Sequence, residues 1–113
     1  MKTWKEGEKH IAAWYSESGH PATRRSTALR GEAVEDIEWG WFSIEVKTRK
    51  TVPQYVHEWM EQALRNAELR TPVIHWHQDR QHLDDDYVVM RAKDFRRWVS
   101  LILCVPGVTC DSD

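Results

Sequence analysis

The chain has 113 residues and a mass of 13.4 kDa, a length that suits one compact domain burying about 65% of its unfolded surface. Hydrophobic residues at 41% and charged residues at 30% exclude a disordered chain or a fibre, and no apolar run approaches the roughly 18 residues that a membrane span needs. Sixteen Lys and Arg against 18 Asp and Glu leave a formal net charge of −2, less positive than a dedicated basic nucleic-acid binder, so a role of that kind must rest on how the charge is distributed.

The first helix is expected over residues 4–18. It is opened by the capping box Thr3-Trp4-Lys5-Glu6, which satisfies two orphan amide donors, and stopped by a left-handed Gly19. Its buried stripe is Trp4, Ile11, Ala12 and Tyr15, and Glu8 falls on that same stripe, a carboxylate where the pattern calls for an apolar group. Residues 22–31 should give a short strand and then a polar loop. Residues 33–37 and 41–47 read as strands joined by a turn at Gly40. In the second of these, Phe42, Ile44 and Val46 face one side, and Ser43, Glu45 and Lys47 the other.

The main helix is expected over 51–70, with Pro53 near its first turn and an apolar stripe of Val56, Trp59, Met60, Ala63, Leu64 and Ala67. Short strands at 73–76 and 87–90 flank an acidic loop at 78–86, and residues 92–103 close the fold as a helix. The order α-β-β-β-α-β-β-α predicts an α/β fold, a mixed central β-sheet flanked by helices. Residues 1–103 would form one domain and 104–113 a C-terminal tail. The N-terminal MKTWKEGEKH carries no signal-peptide core. Cys104 and Cys110 are too few for a disulfide framework, so a reducing, cytoplasmic setting is expected.

The chemistry concentrates in Glu35-Asp36-Ile37 and Ile44-Glu45-Val46-Lys47. Hydrolysing a phosphodiester at neutral pH calls for a divalent ion that polarises the phosphate and lowers the pKa of an attacking water. Mg²⁺ prefers hard oxygen ligands and keeps several waters, so two carboxylates suffice from the protein. An ammonium two residues from one of them can position water or stabilise transition-state charge. Asp36, Glu45 and Lys47 supply these parts, and Lys47, Arg49 and Lys50 form a basic run beside them that suits phosphate contact.

With Asp36 followed by Glu45-x-Lys47 on a hydrophobic strand, the chain resembles the PD-(D/E)xK nuclease superfamily, and more narrowly its archaeal and phage Holliday-junction-resolvase-like branch. Glu8 matches that branch's acidic residue on the first helix, and Ile44 to Lys50 match its IEVK followed by basic residues. Gln62-Ala63 matches the helix glutamine before small residues in phage-type members, and Pro72 to His77 their P-V-(V/I)-x-x-H strand. Glu35 stands where the superfamily name has proline.

The resemblance implies a restriction-endonuclease-like core and a Mg²⁺-dependent DNA endonuclease, with Mn²⁺ as substitute, resolving Holliday junctions or other branched DNA in DNA recombination. The setting would be the cytoplasm of a bacterium or a phage-infected host. Asp36 and Glu45 would bind the metal, helped by the Val46 carbonyl. Glu8 would complete the metal site or orient water, Lys47 would stabilise the pentacoordinate phosphorus, and Gln62 would join the catalytic set. Arg24, Arg25, Arg30, Arg49 and Lys50 would hold the DNA backbone. A four-way junction cut symmetrically calls for a C₂ homodimer. A flap, nick-directed or restriction-like nuclease is the enzyme alternative, and a non-catalytic nucleic-acid-binding module the alternative from another class.

Other residues carry less. His75-x-His77 puts two rings on one strand face with His82 nearby, but no third and fourth zinc ligand stands at recognisable spacing. Asp84 to Asp86 lacks the alternating ligands and glycine of a calcium loop and reads as solvated. Trp39-Gly40-Trp41 at the hairpin turn offers two large aromatic groups, read as the dimer interface, with base stacking as the other reading.

Overall fold

The computed structural model describes residues 4–27 and 34–103. Thr3 of the capping box, Arg30 and the expected tail 104–113 lie outside the described residues, as do the side chains of residues 4–6, 8, 25–27 and 34–36. Within the span expected as one domain, the backbone gathers into two compact units, residues 1–48 with those from 96 on, and residues 49–95.

The first unit begins with helix α1, Trp4–Ser16. Ala12 and Tyr15, three residues apart on one face, are buried. The helix ends two residues earlier than its pattern predicts. The Ser16 hydroxyl donates to the Ala12 carbonyl at 3.0 Å and accepts from the Ala22 amide at 2.9 Å, so it terminates the helix and starts the next strand. Gly19, at φ 104°, takes the expected left-handed position.

Strands β1 (Ala22–Thr27), β2 (Val34–Trp39) and β3 (Phe42–Glu45) form an antiparallel sheet in that order. β2 runs two residues past its expected end because Trp39 continues the inward alternation begun by Ile37, and both are fully buried. β3 stops at Glu45 rather than 47, where the alternation gives way to the charged run after Val46. The Gly40-Trp41 turn joins Trp39 to its partner Phe42. Gly40 has φ 59°, and a Cβ there would stand 2.6 Å from Leu103 Cδ2. Leu103 and Val99 are the buried positions of helix α3 (Ala92–Leu103), found where the sequence predicts it.

Trp39 is the centre of this core. Its indole N–H donates to the His20 carbonyl at 2.9 Å, and its ring lies 4.9 Å from that of Tyr15. Arg96 stacks over Trp14 at 3.9 Å and donates to its carbonyl. The expectation that Trp39 belongs to a dimer interface is therefore corrected: the two-residue period of β2 turns it inward beside Ile37. Trp41, outside the ladder, is 70% exposed.

The second unit holds helix α2 (Gln54–Ala67) and strands β4 (Ile74–Trp76) and β5 (Tyr87–Val89), which pair antiparallel. Pro53 is the N-cap of α2, one position before the helix. Of the expected stripe, Val56, Met60, Ala63 and Ala67 are half-buried, while Trp59 and Leu64 are exposed. Trp59 and Tyr55 instead meet Trp76 edge to face, at 5.0 and 6.1 Å.

The elements follow the expected order, and the fold is α/β, but the pairing differs. Among the described residues two antiparallel sheets stand in place of one mixed sheet. Each strand pairs with its neighbour in sequence, the least costly closure. β4 and β5, three residues each, satisfy their ladder with each other. No described helix is long and apolar enough to cross a membrane.

Candidate active site

The alternation that buries Ile37 and Trp39 fixes the other face of the sheet. Ile37 stands opposite Ile44 and Trp39 opposite Phe42, so the intervening positions Asp36, Glu38, Ser43 and Glu45 belong to the outer face. Asp36 is the direct partner of Glu45, and Arg25 of β1 is the partner of Asp36. Residues opposed in this way have Cβ atoms about 4.5–5.5 Å apart. Arg25, Asp36 and Glu45 thus occupy one rung of the sheet, directly opposed in register.

Glu45 closes β3, and Lys47 folds back toward it, its Nζ 3.2 Å from Glu45 Oε1. Both side chains are about two-thirds exposed (66% for Lys47, 68% for Glu45). An ion pair this open adds little to stability, so the fold does not account for it, and its ammonium and carboxylate are accessible to a ligand.

Glu8 lies in α1 four residues before the buried Ala12. α1 packs against β1 and β2 with Ala12 and Tyr15 toward Ile37 and Trp39, so the Glu8 position, four residues before Ala12, belongs to the inner side of the sheet and the Asp36-Glu45 rung to the outer. The side chains of Glu8, Arg25 and Asp36 lie outside the described residues.

Arg24 does not share the outer face. It is the partner of Ile37 and is half-buried, so strand alternation separates it from Arg25. Arg49, Lys50 and Gln62 belong to the second unit, and all three are exposed. Among the described residues no group of three or more His, Cys, Asp or Glu is placed to hold a metal ion, a set to which the Glu8 and Asp36 side chains do not belong. The donor chemistry of the rung nonetheless fits a hard divalent cation: two carboxylates at partnered positions, with open solvent on the Glu45 side for the waters that Mg²⁺ retains.

The second unit contains a constellation that the sequence pattern did not reveal. The Asp86 side chain is only 1% exposed and bonds three partners: His75 Nε2 at 2.8 Å and His77 Nδ1 at 2.7 Å on Oδ2, and Gln81 Nε2 at 2.9 Å on Oδ1. Burial alone would push its pKa up. The hydrogen bonds from Gln81, His75 and His77 outweigh that and hold the carboxyl well below the usual carboxylate range. The solvated reading of Asp84 to Asp86 is thus corrected for Asp86, while Asp84 is fully open. The signal was present in His75-x-His77, one face of β4, and in Asp86 directly before the partner strand β5.

The chain matches no family model. It matches none of the curated proteins and none of the solved structures with which it was compared.

Proposed function

We propose that the chain is a Mg²⁺-dependent endonuclease acting on branched DNA, four-way junctions foremost, as the resemblance carried by Asp36 and Glu45-x-Lys47 implies. The observation that carries the reading is the single rung pairing Asp36 with Glu45, with the Lys47 ammonium 3.2 Å from the Glu45 carboxylate. A divalent cation held by Asp36, Glu45 and the Val46 carbonyl would polarise the scissile phosphate and acidify the attacking water, and Mn²⁺ would serve in its place.

The chain's own residues supply the rest. Asp36 and Glu45 would hold that cation and, through it, set where the phosphate lies relative to β3. Lys47 Nζ donates to a non-bridging oxygen as negative charge grows on it. The attacking water's oxygen would bond to phosphorus as it gives up a proton to solvent, and the bridging ester oxygen would depart, taking a proton from solvent water. Arg25, on the same rung, and Arg49 and Lys50 beyond Lys47 contact neighbouring phosphates. Gln62, exposed on α2, keeps the catalytic role that the resemblance implies for it. Two such sites in a homodimer suit the symmetry of a four-way junction, and Trp41 is the exposed aromatic group near the rung's hairpin.

The test is incubation of the protein with end-labelled four-way junction, flap, single strand and duplex, in Mg²⁺ and in EDTA. Cleavage is expected in Mg²⁺ alone, with the junction preferred. Binding to all substrates without cleavage in any would leave a nucleic-acid-binding module instead.

A further inference from the structure

We propose that Trp76, Tyr87, Gln78 and Gln81 form a nucleobase-binding pocket in the second unit, separate from the Asp36-Glu45 rung and independent of whether that rung cleaves DNA. The four residues line a cavity of about 340 Å³, at the lower end of the range for small-molecule sites.

Two of the four are aromatic and face the same way. Trp76 and Tyr87 are direct partners across the β4–β5 ladder, so their side chains leave the same face, opposite to that of His75 and Val88. Trp76 is held by Trp59 and Tyr55, both edge to face with it. Tyr87 is 75% exposed and makes no ring contact among the described residues. A hairpin that places an indole opposite a bare phenol ring, with a cavity lined by both, offers stacking surface for a planar heterocycle.

The other two are glutamines at the two ends of a strained turn. The Gln81 amide donates to the Gln78 carbonyl at 3.0 Å, and Arg80 between them has φ 66°. A positive φ at the third position belongs to a type II turn, where glycine is the ordinary choice and arginine is strained. The turn brings the two backbones together, and both residues line the cavity.

The Asp86 network then orients Gln81. An ionised carboxylate only accepts hydrogen bonds. The NH₂ of Gln81 therefore faces Asp86 Oδ1, and its Oε1 and second N–H remain for a ligand. A carboxamide with both functions available matches the donor-acceptor edge of a nucleobase, adenine N6 and N7 among them. Stacking faces together with amide edges define the ligand as a base, either of a free mononucleotide or unpaired in a strand.

The test uses the full chain in EDTA, so that cleavage plays no part. Fluorescein-labelled octadeoxyadenylate and an abasic octamer of equal charge are titrated by anisotropy, with dAMP followed by backbone and indole NMR shifts. Binding of octadeoxyadenylate at least about fivefold tighter than the abasic strand, with shifts at Trp76 and Tyr87, assigns an unpaired base in a strand. Binding of dAMP at the same affinity, with shifts at the same residues, assigns the mononucleotide. Tyr87→Ala should weaken binding at least about fivefold, as removing a stacking partner does, while Tyr87→Phe retains it. Equal binding of the two octamers without dAMP binding, ligand shifts that avoid Trp76 and Tyr87, or a folded Tyr87→Ala that binds as wild type would overturn the proposal.

Discussion

Lys47 contacts a carboxylate and Asp86 two imidazoles, and their surroundings give those contacts different meanings. Lys47 is open to water, so replacing it with Ala should leave stability within about 0.5 kcal/mol. Turnover should fall about 10²-fold or more through loss of a transition-state donor. Steady-state cleavage rates and urea midpoints on the same variant check this split, and a Lys47→Ala enzyme turning over like wild type contradicts it. Asp86 is enclosed and multiply bonded, and its folded pKa is depressed. Such a carboxyl contributes stability that is complete above its unfolded value, about 3.9, and lost as pH falls through the folded one. The stability gap between wild type and Asp86→Asn, measured by urea unfolding from pH 5 to 2, should narrow below about pH 4. A gap that widens between pH 4 and 2 would contradict the bonding described. Sequence alone showed three consecutive aspartates; which of them would be enclosed depended on a hairpin partner eleven residues away.

At the scale of elements, the β2–β3 hairpin carries both the core and the candidate site, and its turn decides how well. Trp39→Ala removes a fully buried indole and its hydrogen bond to His20 and should cost about 3–5 kcal/mol. Trp41→Ala, two positions on and mostly exposed, should cost less than about 0.5 kcal/mol. Thermal unfolding of the two variants compares them directly, and similar losses would mean that the inward turn of Trp39 is wrong. Gly40→Ala forces an L-residue to φ 59° and drives a methyl into the buried Leu103, an expected loss of about 1–3 kcal/mol by the same measurement. The two-residue period of β3 was legible in the amino-acid pattern, and it alone sets Glu45 on the face opposite Phe42 and Ile44. The extent of β2 was not legible, because a tryptophan beside a glycine turn looks exposed until something is known to cover it; Tyr15 and His20, contributed from outside the hairpin, do so.

For the whole molecule, the order of elements could be read from hydrophobic period, caps and turn residues, and α3 falls where that reading placed it. Strand pairing could not, since short strands with similar patterns have several compatible neighbours and the choice is made by closure and packing. The same holds for the site: Glu45 and Lys47 are two residues apart in sequence, whereas the opposition of Asp36 to Glu45 is a matter of register. The account stands on that rung acting as a metal-dependent catalytic centre. The direct measurement is cleavage of a labelled four-way junction by wild type and by Glu45→Gln, with Mg²⁺ and with EDTA, alongside junction binding by gel shift. The account predicts product from the wild type in Mg²⁺ only, and none from Glu45→Gln, which still binds the junction. Cleavage by Glu45→Gln at the wild-type rate, or cleavage surviving excess EDTA, would contradict it.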